Sequence, residues 1–150
     1  MYKNSFVHYL TKVLVDIMFF GGIACCLAVP FIMQPLKSFF WYKDSQVVPL
    51  AIILELSGLS ALFILWQLKA MFKTLLGGNP FTGANVTCLR KSSVASFVIA
   101  IVFIVKLTFW FSIASFIIVV IFALLGLFCL TLKDVFKQAV VYKEENDWTV

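Results

Sequence analysis

Long apolar runs, each interrupted by very few polar residues, dominate the hydrophobic pattern of this chain. Val13 to Met33 is apolar except for Asp16. Val47 to Leu68 is apolar except for Glu55 and Gln67. A helix rises about 1.5 Å per residue, so each run is long enough to cross a hydrocarbon core about 30 Å thick. The pattern therefore predicts two membrane-spanning helices in the first half of the chain.

The second half contains one longer apolar stretch, Ser92 to Leu132, whose only charge is Lys106. As a single helix it would be about 60 Å long, twice the thickness of the hydrocarbon core, so it must fold back as a helical pair. The turn is expected between Lys106 and Ser112, where a charge, hydroxyl groups and the aromatic run 109–111 suit a membrane interface. In total, four spans are predicted in a single transmembrane domain, at approximately 13–33, 47–71, 88–106 and 114–132.

The basic residues that flank the spans predict the orientation of the chain. If both termini are cytoplasmic, nine of them lie on the inner side, namely Lys3, Lys12, Lys69, Lys73, Arg90, Lys91, Lys133, Lys137 and Lys143. The outer side then holds three, namely Lys37, Lys43 and Lys106. Because basic residues accumulate on the cytoplasmic side, we expect an all-α integral membrane four-helix bundle in the cell membrane, with N and C termini cytoplasmic. A short outer loop is expected near 34–46 and a larger inner loop near 72–91.

Composition supports a membrane location and excludes several classes of protein. Hydrophobic residues make up 63% of the 150 residues and charged residues 13%, whereas soluble domains are roughly half apolar and about a quarter charged. A chain this short cannot bury such an excess in water, so lipid must cover part of it. The net charge of +5 then follows from topology, and no direct binding of nucleic acid is expected.

Reactive side chains are too few and too scattered to predict an enzyme. His8 is the only histidine, and four cysteines lie in or beside predicted spans without CxxC spacing: Cys25, Cys26, Cys88 and Cys129. We therefore expect free buried thiols, with no metal site, no cofactor and no catalytic residues. Lys3 and Lys12 resemble the basic start of a signal peptide, but the apolar run that follows is longer than that of a signal peptide. We therefore expect this segment to remain in the protein as a helix and not to be cleaved off.

Three ionisable residues lie within or near the apolar cores: Asp16, Glu55 and Lys106. A charge at such a depth is costly unless it is paired, neutralised or hydrated. Asp16 lies near the inner end of its span, where it can pair with Lys69 or Lys12. Glu55 lies nearer mid-membrane, where it either hydrogen-bonds a neighbouring helix as a neutral acid or, when ionised, needs Lys106 or a polar cavity. Structural packing and a ligand or ion site are both compatible with Glu55.

The inner loop between the second and third spans carries the clearest turn signals. The second helix should end at Gly77 or Gly78, because glycine forms the left-handed cap and Pro80 cannot continue a helix. Thr82 is the expected N-cap of the next helix. At the other end of the chain, the apolar residues of 132–142 recur with helical spacing, which predicts a short amphipathic C-terminal helix extension. This segment either continues into the cytoplasm or bends onto the membrane surface.

Two motifs fall on the predicted cytoplasmic side. The first is Asn79-Pro80-Phe81-Thr82 with Asn85-Val86 and Leu89-Arg90, and the second is Val135-Phe136-Lys137-Gln138-Ala139 with Lys143 to Val150. As a pair they resemble the DUF2975 family of small bacterial four-helix membrane proteins. The resemblance covers essentially the whole chain, with departures at Ala84 and Trp148, where the family carries Glu and Leu. It implies a membrane protein without an established activity, in many bacteria encoded beside a small Cro/CI-like helix-turn-helix regulator.

The leading hypothesis is a membrane-embedded regulatory protein whose inner loop and C-terminal end dock a small partner, with a Cro/CI-like DNA-binding regulator as the candidate. The docking candidates are Asn79, Pro80, Phe81, Thr82, Asn85, Arg90, Phe136, Lys137, Glu144, Glu145, Asn146 and Asp147.

Two alternatives come from other classes of protein. One is an immunity factor against a membrane-active peptide or bacteriocin, based on the outer aromatic residues Phe39 to Tyr42 and Phe109 to Phe111. The other is a small transporter or channel subunit that oligomerises around Glu55. Ser57 and Ala61 give that helix a small-residue face, which permits close packing within the chain or between copies in a homo-oligomer.

Overall fold

The computed structural model describes residues 6–40 and 43–149 of the chain. The described residues form four α-helices and no strand: α1 (Phe6–Phe40), α2 (Asp44–Leu76), α3 (Gly83–Phe109) and α4 (Ile113–Trp148). Each helix is long and apolar enough to cross a membrane. This confirms the predicted all-α, four-span architecture. Lys3, Trp41, Tyr42 and Val150, which the sequence-based predictions include, lie outside the described residues.

Each helix contains its predicted span and continues beyond it at both ends. The shortest, α3, has 27 residues and is about 40 Å long, and the longest, α4, has 36 residues and is about 54 Å long. All four therefore exceed the thickness of a hydrocarbon core. Continuous helix is the favoured state at these depths, because lipid offers no partner for an unpaired backbone group.

The connections between the helices are shorter than the sequence predicted. α1 continues through Pro35 to Phe40 and α2 begins at Asp44, so the outer connection is a fraction of the expected 34–46 loop. A proline inside a helix removes one backbone hydrogen bond and crowds the carbonyl of the preceding turn, but a membrane helix tolerates this where the freed groups find other partners. The inner connection is confined to 77–82, because α3 begins directly after its cap at Thr82.

The turn between the last two helices lies where it was predicted. α3 ends at Phe109, and the chain reverses through Trp110 and Phe111 before Ser112 becomes the N-cap of α4. The position is confirmed although neither glycine nor proline marks it. α4 then runs without a break to Trp148, so the amphipathic segment continues the fourth helix instead of bending away from it.

The four helices pack in chain order as an open row. Among the described residues, α1 contacts α2, α2 contacts α3 and α3 contacts α4, whereas α1 and α4 do not meet. α3, held between two neighbours, contains most of the buried residues, including Ser93, Ser96 and Ile99. α1 stands at the open end, and most of its apolar side chains are exposed. Such exposure suits lipid contact, since lipid tails are as apolar as these side chains.

Glycine residues allow two pairs of neighbouring helices, α3 with α4 and α1 with α2, to pack at short distances. A β-carbon on Gly126 of α4 would lie 2.9 Å from the ring of Phe97 on α3, and one on Gly58 of α2 would lie 2.7 Å from Sγ of Cys26 on α1. Close contact also brings Oγ of Ser93 to 2.9 Å from the Gly126 carbonyl oxygen, which accepts its hydrogen bond. Glycine therefore determines how near α3 and α4 can approach.

Candidate functional site

An ion pair joins α1 to α2 near one end of the row. Nζ of Lys69 lies 2.9 Å from Oδ1 of Asp16, and it also lies 4.6 Å and 5.2 Å from the ring centroids of Phe19 and Phe20. The pairing of Asp16 with Lys69 expected from the sequence is therefore present. The lysine is held by a carboxylate and two aromatic faces at once, which neutralises both charges and fixes the register of the two helices.

Glu55 lies on the side of α2 that faces α1. Its carboxylate is within electrostatic range of the thiol of Cys26, whose sulfur contacts the neighbouring Gly58. Oε2 of Glu55 is buried and has no hydrogen-bond partner among the described residues. A carboxylate oxygen in this state favours either a neutral acid or a bound ligand, because an unpaired charge is costly in an apolar surrounding.

The backbone carbonyl of Cys26, the residue whose thiol lies near Glu55, lacks its usual hydrogen-bond donor. Pro30 has no N–H group, so the carbonyl of Cys26, one turn earlier, lacks the intrahelical donor that other residues would provide. A protonated Glu55 is a donor of the kind that such an acceptor needs.

Lys106 does not reach Glu55, in contrast to one of the sequence-based alternatives. Its Nζ instead donates a hydrogen bond to Oγ of Ser115, a residue that is 3% exposed on α4. The order of the helices explains the difference. Glu55 faces α1 on one side of α2, whereas Lys106 lies on α3 and bonds to α4, so the two side chains are directed to different neighbouring helices.

The inner loop is held together by Asn85. This residue is 2% exposed, and its Nδ2 donates hydrogen bonds to Oγ1 of Thr74 at 2.7 Å and to the carbonyl of Pro80 at 2.6 Å. Its backbone N–H also donates to Oγ1 of Thr82 at 3.3 Å, which confirms Thr82 as the N-cap. Gly78 adopts the left-handed conformation at φ 82°, as expected for the end of α2.

The two sequence motifs contact each other. The ring of Phe81 in the loop packs against the ring of Phe136 on α4, with centroids 5.2 Å apart and an interplanar angle of 55°. Nζ of Lys143 donates a hydrogen bond of 2.7 Å to Oδ1 of Asn79. The loop is thus braced against the end of α4, and the motifs form one composite surface, which we call the inner-face cluster: residues 79–82, Phe136 and Lys143.

The predicted docking residues divide by exposure. Asn85 is buried and bonded inside the loop, so the structure gives it a structural role in place of the exposed position that docking requires. Pro80, Thr82 and Phe136 are half-buried. The remaining candidates are exposed: Asn79, Phe81, Arg90, Lys137, Glu144, Glu145, Asn146 and Asp147. Arg90 lies apart from the inner-face cluster, in a groove between α2 and α3.

The outer aromatic residues are exposed where they are described. Phe39, Phe109 and Phe111 are 75%, 72% and 79% exposed, while Trp41, Tyr42 and the side chain of Phe40 lie outside the described part of the structure. An aromatic belt at a membrane interface requires the same exposure. The immunity hypothesis therefore gains no observation of its own and stays a prediction.

Sequence reasoning missed a group of buried hydroxyl side chains on α3 and α4. Ser92, Ser93 and Ser96 of α3 and Ser115 of α4 are at most 6% exposed, and Oγ of Ser93 donates a hydrogen bond to a backbone carbonyl of α4. The spacing of Ser92 and Ser96, four residues apart in an apolar span, is the signal that could have identified this face. Among the described residues, no group of three or more His, Cys, Asp or Glu side chains is placed to hold a metal ion.

Comparison with protein families matches residues 36–150 to DUF2975, described as a protein of unknown function. The chain belongs to the DUF2975 family. The DUF2975 match covers α2, α3 and α4 with both motifs, and it begins near the end of α1, so it is shorter than the whole-chain resemblance expected from the sequence. Searches of curated proteins and of solved structures found no significant match. Most of α1, the helix at the open end of the row, thus lies outside the DUF2975 region.

Proposed function

We propose that this DUF2975 protein is a membrane-anchored regulator that docks a small cytoplasmic protein on its inner-face cluster and on the end of α4. The single observation that carries the proposal is the uninterrupted course of α4 beyond its predicted span. Residues 133–148, which we call the tail helix, add about 24 Å of helix past the apolar segment. A helix of this length is a platform that a folded partner can recognise.

The tail helix exposes aromatic and apolar side chains among charges. Tyr142 and Trp148 are 69% and 89% exposed, and Val141 is 46% exposed. A shallow groove follows this face of the helix, lined by Asp134, Lys137, Gln138, Val141, Tyr142 and Glu145. Exposed aromatic residues with a charged rim are typical of protein-binding surfaces, where the aromatic side chains supply most of the binding energy. Lys137 and Glu145 would then set the orientation of the partner.

Charge distribution supports a cytoplasmic position for this surface. Among the described residues, eight basic residues flank the helix ends that carry the inner loop and the tail helix, against three at the other end of the row. Two of those three are also engaged, since Lys37 pairs with Asp44 and Lys106 bonds to Ser115. Positive charge therefore favours the end with the inner-face cluster as the cytoplasmic one.

The experiment is affinity capture with crosslinking from the native host in mild detergent. We expect a small DNA-binding protein to be recovered with the intact chain and lost when residues 144–150 are deleted. Tyr142→Ala should weaken its capture, whereas Leu124→Ala, at a 61% exposed position on the apolar part of α4, should leave it unchanged. Equal recovery with the tail deletion and with Tyr142→Ala would overturn the docking surface.

A second candidate function is favoured by the unpartnered oxygen of Glu55. A buried carboxylate without a hydrogen-bond partner is suited to binding a proton or a small cation during transport. Flux through proteoliposomes that falls with Glu55→Gln, in a protein that folds normally, would support a transporter or channel subunit. Unchanged flux in this isosteric variant would leave Glu55 as neutral packing between α1 and α2.

A further inference from the structure

An apolar groove runs between α2 and α3 on one face of the row. The groove is open along its length and has a volume of about 650 Å³. Its walls are Leu59, Ser60, Phe63, Thr87, Arg90, Lys91, Val94, Ala95 and Val98. The walls are mostly apolar, with hydroxyl groups only at Ser60 and Thr87, and the first turns of α3 bring two basic side chains to the mouth of the groove.

The two basic side chains at the mouth form no salt bridge within the described part of the chain. Arg90 and Lys91 are exposed and make no ion pair with any described residue, and α3 contains no acidic residue. The ion pairs of the described chain engage other lysines, namely Lys37, Lys69 and Lys133. Two adjacent unpaired cations beside an apolar groove are complementary to a ligand with an anionic head and an apolar chain.

The dimensions of the groove match one leaflet of a membrane. From Thr87 to Val98 the helix rises about 16 Å, close to half of a hydrocarbon core about 30 Å thick. The uninterrupted apolar part of α3 begins after Lys91, which places the two cations at the level of the headgroups. An acyl chain lying in the groove would therefore end near the middle of the membrane.

We propose that this groove binds one anionic phospholipid. The phosphate lies between Arg90 and Lys91, and one acyl chain lies in the groove against Phe63 and Val94. A second copy of the chain is a poorer occupant, because it would have to bring a free carboxylate to this depth. Asp16 and Asp134, the acidic residues within or directly beside the predicted spans at this end of the molecule, are already paired with lysines. The lipid site does not depend on the docking proposal or on which side of the membrane the groove faces.

Native mass spectrometry of the full chain in a mild non-ionic detergent tests the proposal. The probes are dioleoyl phosphatidylglycerol, the zwitterionic dioleoyl phosphatidylcholine, and glycerol phosphate as a headgroup without chains. We expect one phosphatidylglycerol per chain, bound at least tenfold more tightly than phosphatidylcholine, and no retained glycerol phosphate. Phosphatidylcholine binding of equal strength would overturn the proposal, as would glycerol phosphate binding as tightly as the lipid.

A first pair of variants tests the cations. Arg90→Gln with Lys91→Gln should weaken phosphatidylglycerol binding about 30-fold, the effect expected for two interfacial charges. Lys133→Gln with Lys137→Gln removes two cations from the same end of the molecule outside the groove, and should change binding less than threefold. Equal losses in the two double variants would show a general attraction to basic charge and would overturn the site.

A second pair tests the groove itself. Val94→Trp fills the groove while keeping both cations, and should weaken phosphatidylglycerol binding about tenfold. Ile104→Trp adds the same ring at another exposed position on α3 and should leave binding unchanged. Far-ultraviolet circular dichroism checks that every variant is folded. Full binding to a folded Val94→Trp variant, or a dimer that excludes the lipid, would overturn the assignment of the acyl chain to this groove.

Discussion

Replacing Gly126 by alanine probes the closest approach between α3 and α4. A β-carbon at this position would lie 2.9 Å from Cε1 and Cζ of Phe97. Both of those atoms belong to a rigid ring, so the ring or the whole helix must move. The same movement would strain the hydrogen bond from Ser93 to the Gly126 carbonyl. Gly126→Ala should therefore destabilise the pair of helices that shares the most contact in the fold.

The magnitude follows from two contributions. Overpacking of this kind costs about 1–3 kcal/mol, and a hydrogen bond between helices in a membrane contributes about 0.6 kcal/mol. Alanine also gains up to about 1 kcal/mol of helix propensity over glycine. Gly21→Ala on α1 gains the same propensity, but its new β-carbon would have no atom within 4 Å. Comparing the two variants cancels the propensity contribution, and Gly126→Ala should be about 2–3 kcal/mol less stable than Gly21→Ala.

The assay is reversible unfolding in mixed micelles, with increasing SDS and with helicity followed by circular dichroism. Gly21→Ala should unfold at the same or a higher SDS fraction than the unmodified chain, and Gly126→Ala at a lower one. Gly58→Ala, which meets the short side chain of Cys26, should fall between them. Indistinguishable stabilities for Gly126→Ala and Gly21→Ala would refute the argument that glycine sets the distance between α3 and α4.

Three further predictions use the same unfolding assay. Asn85→Ala removes both amide hydrogen bonds of a buried side chain and should cost about 2–3 kcal/mol; a loss under about 0.5 kcal/mol would contradict its role in the loop. A double-mutant cycle of Asp16→Asn and Lys69→Met should give a coupling energy of no more than about 1 kcal/mol, because each side chain is about a third exposed. A larger coupling energy would contradict this solvent exposure of the ion pair. In a second double-mutant cycle, Phe81→Ala and Phe136→Ala should show a coupling energy of about 0.5–1.5 kcal/mol. Additive effects of the two substitutions on stability would mean that the two rings do not stabilise each other.

Features that depend on local sequence were predictable. The four spans, the turn at 110–112, the cap at Thr82 and the left-handed Gly78 follow from apolar length and from turn residues along the chain. Depth in the membrane also limited the partner of Asp16 to Lys69 or Lys12, and the structure shows Lys69. In each case the information lies within a few residues or in a distance counted along a helix.

Features that depend on how the helices are ordered and rotated were not predictable. The tertiary structure directs Lys106 to Ser115 and away from Glu55, encloses Asn85 within the loop, and brings Phe81 onto Phe136. In a water-soluble protein the apolar face of a helix would show which side meets its neighbours. In a membrane the lipid is as apolar as the protein interior, so the hydrophobic pattern of the sequence determines where each helix crosses but carries little information on which face packs. Only the packed structure, through small residues and a few polar contacts, decides which side chains meet.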